Sequence, residues 1–470
     1  MRRRRVWALA ALALALVVWG AAVAYTVRSR DLVGLQAALV AYSLYGAAMH
    51  LLGAARRRRS APVEPRQLPF VSVLVPARDE VSVIQETLRC LGQLRYHDAR
   101  GPRFEVVVLD DRSRDGTGSR AAQVELAVPL RVVRVPEEAP RGKAAVLNVG
   151  TQAACGQLLA VFDADARPEP DFLLRAVPLL LEPGVAAVQG RRRLYHRSGG
   201  VVARGQEHEF DVYQTVMQRA REQFGAHVLL GGNGMVVNRW ALERVGGWNP
   251  DALTEDIDLA IRFHAAGWRV RYCEEAVVWE ESVASWPALV RQRARWTEGV
   301  LRALVQHAAR VVRGHMSVAQ KLDLLFFLTG SVVIPAAVFA SYAYGVVAFV
   351  RGVLLPYYLL PLPRALPELL TAGAFAALTL GLVLSSAVEL RTARRVLVGL
   401  AAYGAFTVHP LLSTPLALVN YGWSVATGQN HWWKTDHGAA PAPAAPQPAW
   451  ARDGRVAEWL ALGVYRRAIP

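Results

Sequence analysis

A chain of 470 residues with 53% hydrophobic residues is too long and too apolar for one ordinary soluble domain; its mean hydropathy of +0.20 suits a soluble domain joined to membrane spans. The net charge of +16 raises nucleic acid as a partner, but the arginines cluster beside apolar stretches, where topology and anionic lipid account for them, and no nucleic-acid module pattern occurs. Three widely spaced cysteines, Cys90, Cys155 and Cys273, offer no zinc spacing and read as reduced thiols.

In chain order, residues 6–27 and 32–55 are uncharged apolar stretches of spanning length. Arginine runs at 2–5 and 56–59 flank the pair, while the link carries Arg28, Arg30 and Asp31, so the basic bias places both runs in the cytoplasm. A signal peptide cleaved near Ala22 is the rival for the first stretch, which is rather long for one.

From Arg66 to about His315 the chain reads as soluble, with short β-rich runs alternating with helical patterns. They are FVSVLVPA (70–77), EVSVIQETLRCLGQL (80–94), FEVVVLDD (104–111), a helix after Gly116, LRVVRV (130–135), KAAVLNVGTQAA (143–154) and LLAVFDAD (158–165). This alternation predicts an α/β fold with a mainly parallel sheet, and ligands gather at the carboxyl ends of such strands, where Asp110, Asp111, Asp163 and Asp165 fall.

The C-terminal third returns to the membrane, with candidate spans at 322–350, containing Pro335, and at 366–388, ended by Arg391, Arg394 and Arg395. Residues 396–427 are apolar but carry Pro410 and Pro415, and read as a kinked span or as a shorter span followed by an interfacial segment. The expected plan is two spans in 1–59, a cytoplasmic domain in 60–315, about three interfacial or membrane helices in 316–436 and a tail in 437–470, with a Pro/Ala linker at 439–448.

In LLAVFDADARPEPDF (158–172), a buried strand would place Asp163 and Asp165 on one side. Carboxylates held that close need a proton or cation between them, and oxygen ligands favour Mg²⁺ or Mn²⁺; the plain alternative is an Asp- and Pro-rich turn. VLDDRSRDGT (108–117) repeats the pattern with Asp110 and Asp111, and Lys143 opens a helix whose N-terminus favours an anion such as phosphate. Thr254 and the acids Glu255, Asp256 and Asp258 open an amphipathic helix, which capping and the macrodipole explain as well as a general base does. The glycines of LLGGNG, including Gly232, permit close approach to a ligand or form a tight turn. In VRQRARWTEG, Gln292, Arg295 and Trp296 share one helical face suited to diphosphate and sugar, against the alternative of a basic interfacial helix, which accounts better for Arg291 and Arg293.

VPARDE, VLDD, GKAAVLN, FDAD, GGNGM, TED and QRARW, in this order and flanked by apolar spans, resemble the membrane-embedded family 2 glycosyltransferases, a group that includes cellulose, chitin, hyaluronan and poly-N-acetylglucosamine synthases. The resemblance implies a GT-A fold and an inverting, metal-dependent enzyme that takes a nucleotide-diphosphate sugar, expected to be a UDP-sugar. It assigns Asp110, Asp111, Lys143, Asp163 and Glu80 to the nucleotide, Asp163 and Asp165 to Mg²⁺ or Mn²⁺, and Asp256 with its neighbour Glu255 to catalysis, Asp256 as the base. Gln292, Arg295, Trp296 and Gly232 would form the acceptor and diphosphate edge. A growing polysaccharide with coupled export is the expected acceptor, a lipid glycosylated in one step the alternative, and a catalytically silent nucleotide-sugar binder is opposed by the complete acid set. The implied location is the plasma membrane with the catalytic domain in the cytoplasm. Arg112, and Arg78 with Asp79, depart from the residues frequent in relatives and would alter nucleotide or sugar choice.

Overall fold

The computed structural model describes residues 33–55, 68–195, 200–350 and 362–427. The apolar stretch at 6–27, the arginine runs at 2–5 and 56–59 and the Pro/Ala tract lie outside the described residues. The first described element is an uncharged helix, α1 (Val33–Ala55).

The domain begins with β1 (Val71–Ala77), α2 (Ile84–Gly92), β2 (Phe104–Asp110), α3 (Thr117–Ala122), β3 (Leu130–Arg134), α4 (Lys143–Ala153) and β4 (Leu158–Val161), matching the expected alternation. β1 and β2 are nearly continuous apolar runs because both faces of the sheet are covered. Helices α2 and α5 (Phe172–Leu180, following the short β5, Arg167–Pro168) pack Ile84, Leu88, Phe172 and Val177 on one face. Leu147 of α4 lies on the other face, with Leu259 and Phe263 from a later helix.

The chain continues through β6 (Val185–Tyr195), α6 (Val201–His208), a π-helical stretch Glu209–Gln214, α7 (Thr215–Phe224), β7 (Met235–Asn238), α8 (Arg239–Arg244), α9 (Glu255–Ala265), β8 (Arg269–Glu281) and α10 (Trp286–Arg313). The eight strands form one sheet in the order β3-β2-β1-β4-β7-β6-β8-β5. Pairings β1–β2, β1–β4, β2–β3 and β6–β8 are parallel, and β4–β7, β6–β7 and β5–β8 antiparallel, so the sheet is mixed with parallel pairing in the majority.

Two sequence expectations need correction. β4 ends at Val161, so Asp163 and Asp165 do not sit on a strand face; they lie on a turn closed by the Ala166 N–H to the Asp163 carbonyl at 3.0 Å. Thr254 occupies the N-cap position of α9, yet its side chain makes no capping hydrogen bond.

The last helices are α11 (Val318–Val350), α12 (Leu362–Leu390), α13 (Ala393–Phe406) and α14 (Pro410–Thr427). Among the described residues, 37–55, 318–335 and 393–427 are long and apolar enough to cross a membrane, while the apolar part of α12 is the shorter 376–390. The 396–427 stretch is broken at 407–409, and Pro410 starts the second helix because it lacks the N–H that the first turn leaves unused. α13 lies on the α/β domain, where a Cβ on Gly205 of α6 would meet the Phe406 side chain at 2.5 Å. Buried ion pairs tie helix ends to the domain: Arg219 to Glu274 at 2.6 Å and to Glu389 at 2.8 Å, and Arg221 to Asp323 at 3.3 Å.

Candidate active site

One cavity of about 1660 Å³ collects most of the residues singled out from sequence: Glu80, Asp111, Lys143, Asp163, Asp165, Gly232, Glu255, Asp256, Gln292, Arg295 and Trp296 all line it. Asp110 does not. Its carboxylate is buried in the following loop, where it accepts the Ser113 N–H at 3.1 Å and pairs with Arg134 at 3.6 Å.

The floor of the cavity is made by loops leaving β1, β2 and β4. Asp79 and Arg112 have φ of 54° and 56°, a region costly for residues other than glycine and best tolerated by Asn and Asp. The Asp79 loop is held by its N–H on the Ser113 hydroxyl and by the Arg114 N–H on its carboxylate. Arg112 is held by a guanidinium that binds the Asp111 carboxylate and the Ala139 carbonyl. Two of the three residues that depart in the sequence, Asp79 in the cavity wall and Arg112 just behind Asp111, thus take left-handed backbone. Glu80 anchors its loop through its N–H to the Thr117 hydroxyl at 2.7 Å.

At the centre stands Lys143, the first residue of α4. Its Nζ donates to Asp163 at 2.6 Å and to the Gly232 carbonyl at 2.8 Å, and lies 3.2 Å from Glu255. Burial disfavours its charge, but the carboxylates of Asp163 and Glu255 outweigh that and hold its pKa above the ordinary lysine value. Asp256 moves the other way, pushed up to about 7 by burial and by the neighbouring Glu255 charge, against the pull of Lys143, the Ile257 N–H and Arg192. A carboxyl poised there exchanges protons near neutral pH. Gly232, at φ +74°, has to be glycine, since a Cβ would lie 3.1 Å from Asp256 Oδ2 and 3.3 Å from Lys143 Nζ.

A buried polar frame holds this cluster, and sequence reading missed it. Gln189 accepts the Gly231 N–H at 2.8 Å and donates to the Asn233 carbonyl at 2.9 Å, shaping the glycine loop. Asn233 accepts the Asp163 N–H at 3.2 Å and donates to Glu280 at 2.9 Å, and the Glu281 N–H donates to Asp165 at 3.1 Å. Arg192 donates to the Gly231 carbonyl and to Gln214 and lies 3.8 Å from Glu280, whose carboxyl is raised by burial despite that cation. A polar Gln within the apolar strand run VAAVQG, and consecutive acids at the end of a strand, were the available signals.

On α10, Gln292, Arg295 and Trp296 face the cavity together. Burial lowers the Arg295 pKa, opposed by Glu255, Asp163 and Asp256. Arg293 is not an interfacial surface residue: it is buried, paired to Glu209 through two bonds of 2.9 and 2.6 Å, and stacked over Trp296 at 4.1 Å. Glu209 belongs to the π-helical stretch, a distortion often found where function bends a helix.

Asp163 and Asp165 supply hard oxygen donors from one tight turn. Among the described residues no group of three or more His, Cys, Asp or Glu side chains forms a metal cage. The pair therefore fits an ion such as Mg²⁺ or Mn²⁺ that keeps most of its coordination for diphosphate oxygens and water, and not a closed structural site.

A sheet ordered 3-2-1-4 beside antiparallel strands, with acids at the strand ends around one cavity, defines a GT-A nucleotide-sugar transferase fold. Residues 67–299 match the family described as Glycosyltransferase like family 2, and the domain they form belongs to that family. The chain is 34% identical over 294 residues to a beta-monoglucosyldiacylglycerol synthase of Trichormus variabilis, covering 62% of this chain and 62% of the relative. It is 36% identical to the protein of that name in Synechocystis, covering 57% and 56%, and 31% identical to a glucomannan 4-beta-mannosyltransferase of Arabidopsis thaliana, covering 64% and 56%. The chain thus spans less than two thirds of the length of these relatives. Among solved structures, the mannosyltransferase PcManGT of Pyrobaculum calidifontis, in complex with GDP-Man and Mn²⁺, shares the fold with a TM-score of 0.57 at 24% identity, over 82% of this chain and 99% of that one. The glycolipid synthases stand nearer to this chain than the cellulose, chitin and hyaluronan synthases named in the resemblance.

Proposed function

We propose that this protein is an inverting membrane glycosyltransferase that moves one sugar from a nucleotide-diphosphate donor to a hydroxyl of a lipid. The carrying observation is Asp256, pushed up to about 7 and set against Gly232 beside Lys143, whose Nζ holds Asp163, in the cavity that α10 also lines. Asp256 takes the proton of the acceptor hydroxyl as its oxygen forms a bond to the anomeric carbon, and the bond from that carbon to the diphosphate oxygen breaks with its electrons leaving on the nucleotide diphosphate. Lys143 places a fixed cation beside Asp163 and offsets the charge of the departing diphosphate. Asp163 and Asp165 would hold a divalent cation, Mg²⁺ or Mn²⁺, which when bound neutralises diphosphate oxygens. Asp111 and Glu80 line the nucleotide end, and Gln292, Arg295 and Trp296 the acceptor and diphosphate edge. The donor is taken to be a UDP-sugar, and the domain to face the cytoplasm from the plasma membrane, as the arginine bias implies.

The similarity to beta-monoglucosyldiacylglycerol synthases favours a lipid acceptor over the polysaccharide first expected. The glucomannan mannosyltransferase similarity keeps polymer synthesis as the second reading. The test is incubation of the protein in lipid nanodiscs with UDP-glucose, UDP-galactose or GDP-mannose, Mg²⁺ or Mn²⁺, and diacylglycerol. A discrete glycolipid is expected; long chains from few acceptors, with no glycolipid, would overturn the reading.

A further inference from the structure

The cavity does not stop at Asp256. It continues beyond Trp296 into a limb between α1, α11, α12 and α14, where its walls include Tyr42, Phe326, Ile334, Leu378, Leu382 and Leu411. These walls are largely apolar and come from α1, α11 and α14, which carry or belong to membrane-length stretches, and from the shorter apolar part of α12. Three guanidinia on the limb side of the site already have an acid: Arg293 has Glu209 at 2.6 Å, Arg221 has Asp323 at 3.3 Å, and Arg192 has Glu280 at 3.8 Å, while Arg295 faces the donor end beside Asp163, Glu255 and Asp256. A phosphate entering the limb would meet cations whose charge is spent, and would itself be desolvated among apolar side chains. A hydroxyl carries no charge to desolvate, so its penalty is much smaller and is offset where it meets a hydrogen-bond acceptor.

From this geometry we propose that the limb is the acceptor seat and that it selects an uncharged acyl-chain alcohol, of which diacylglycerol is the type, against lipids whose head bears phosphate. The acyl chains occupy the apolar limb, and the free hydroxyl extends past Trp296 to Asp256. This rests on the lipid-acceptor reading above and adds the place of the lipid and the charge of its head. Gly404 of α13 gives a handle on the seat, because it lines the cavity and a Cβ built there meets nothing within 4 Å. A larger side chain there starts into open space at the cavity wall, and replacing a helical glycine favours the helix.

The test uses the full-length protein in phosphatidylcholine nanodiscs at saturating donor, with dioleoylglycerol, dioctanoylglycerol and dioleoyl phosphatidic acid. Gly404→Leu, and separately Leu382→Trp on the facing wall, should raise the KM for dioleoylglycerol by about tenfold, the scale of a mismatch in an apolar pocket. Hydrolysis of the donor in the absence of acceptor, which does not use the limb, should stay near wild type, and the KM for the short-chain lipid should rise less than that for dioleoylglycerol. Phosphatidic acid with the same chains should not compete. Potent competition by phosphatidic acid, or an unchanged KM for dioleoylglycerol in both variants, overturns the seat while lipid glycosylation stands. If the wild type glycosylates no lipid at all, the lipid reading falls and the seat falls with it.

Discussion

The sheet side and the helix side of the cavity are built on different terms. On the sheet side, Asp111, Asp163 and Glu80 leave adjacent strand ends, so neighbouring strands alone bring them together. On the helix side, Glu209 reaches Arg293 across 84 positions of sequence, Arg221 reaches Asp323 across 102 and Arg219 reaches Glu389 across 170, all in buried surroundings. The sheet side gathers charge that a ligand can use, whereas the helix side spends its charge on itself and thereby fixes how the apolar helices dock. Function and architecture are separated across one cavity, with Asp256 on the boundary.

The largest expected effect falls on that boundary. Asp256→Asn keeps an acceptor for the Ile257 N–H that the carboxylate now takes at 2.8 Å, but removes the proposed base. Sugar transfer should fall by ~10²–10⁴-fold while nucleotide affinity stays near wild type, measured by radiolabelled transfer and by calorimetric titration with the nucleotide diphosphate. The base works only when ionised, and burial beside Glu255 has raised its pKa to about 7, so kcat/KM should climb as pH rises through about 7 and then level off. Normal transfer by the variant would return Asp256 to the role of a helix-start residue.

On the helix side the expected loss is in stability. Glu209→Ala strands the buried Arg293 guanidinium, and breaking such a pair costs about 3–5 kcal/mol. Thermal unfolding in detergent should show a clear fall in Tm for Glu209→Ala and a recovery of most of it in Glu209→Leu with Arg293→Leu, since an apolar pair restores packing without a stranded charge. A drop in transfer with no change in Tm would mean that the pair serves chemistry and that the two sides are not divided as argued.

Asp165 lies on the sheet side. Its turn, not a strand, presents it, and its Oδ2 accepts the Glu281 N–H, a bond that Asn can keep. Asp165→Asn should weaken nucleotide-diphosphate binding in the presence of Mg²⁺ or Mn²⁺ by roughly the 10–100-fold typical of disturbed metal sites, with little change when the metal is withheld. Unchanged metal dependence would leave FDAD as a turn and nothing more.

The same division explains what the sequence made legible. The β1 to β4 alternation and the acids that follow strands are local patterns, since one short apolar run and its next two residues carry each of them. Lys143, Glu255 and Asp256 could be singled out because each opens a helix, where charge already has meaning. Arg192 and Glu209 could not, and Gln189 and Glu280 left only a polar residue in an apolar strand and a pair of acids at a strand end, because their partners come from distant elements and pairing across such distances leaves no period in the chain. Arg293 reads from sequence as part of a basic interfacial helix for the same reason, and Pro410 and Pro415 mark the apolar stretch as interrupted without saying which side packs on the domain.

The smallest expected effect tests the reading that competed longest with catalysis. If TEDID were a helix start and no more, Thr254 should be its cap, and removing a capping hydroxyl costs typically ~1 kcal/mol. Here the hydroxyl makes no capping bond, and the side chain instead packs so closely on α10 that a Cβ on Gly299 would lie 2.2 Å from its Cγ2. Thr254→Ser keeps a hydroxyl and removes the methyl that touches α10, whereas Thr254→Val keeps the methyl and removes the hydroxyl. Thr254→Val should therefore unfold within about 0.5 kcal/mol of wild type, the range of substitutions that remove no special interaction, and Thr254→Ser should be the less stable of the two because packing and not capping holds α9 against α10. Denaturant unfolding of the two variants reads the order directly. The reverse order would make α9 a capped helix after all, and its acids could then be explained by the helix end without any call on proton transfer.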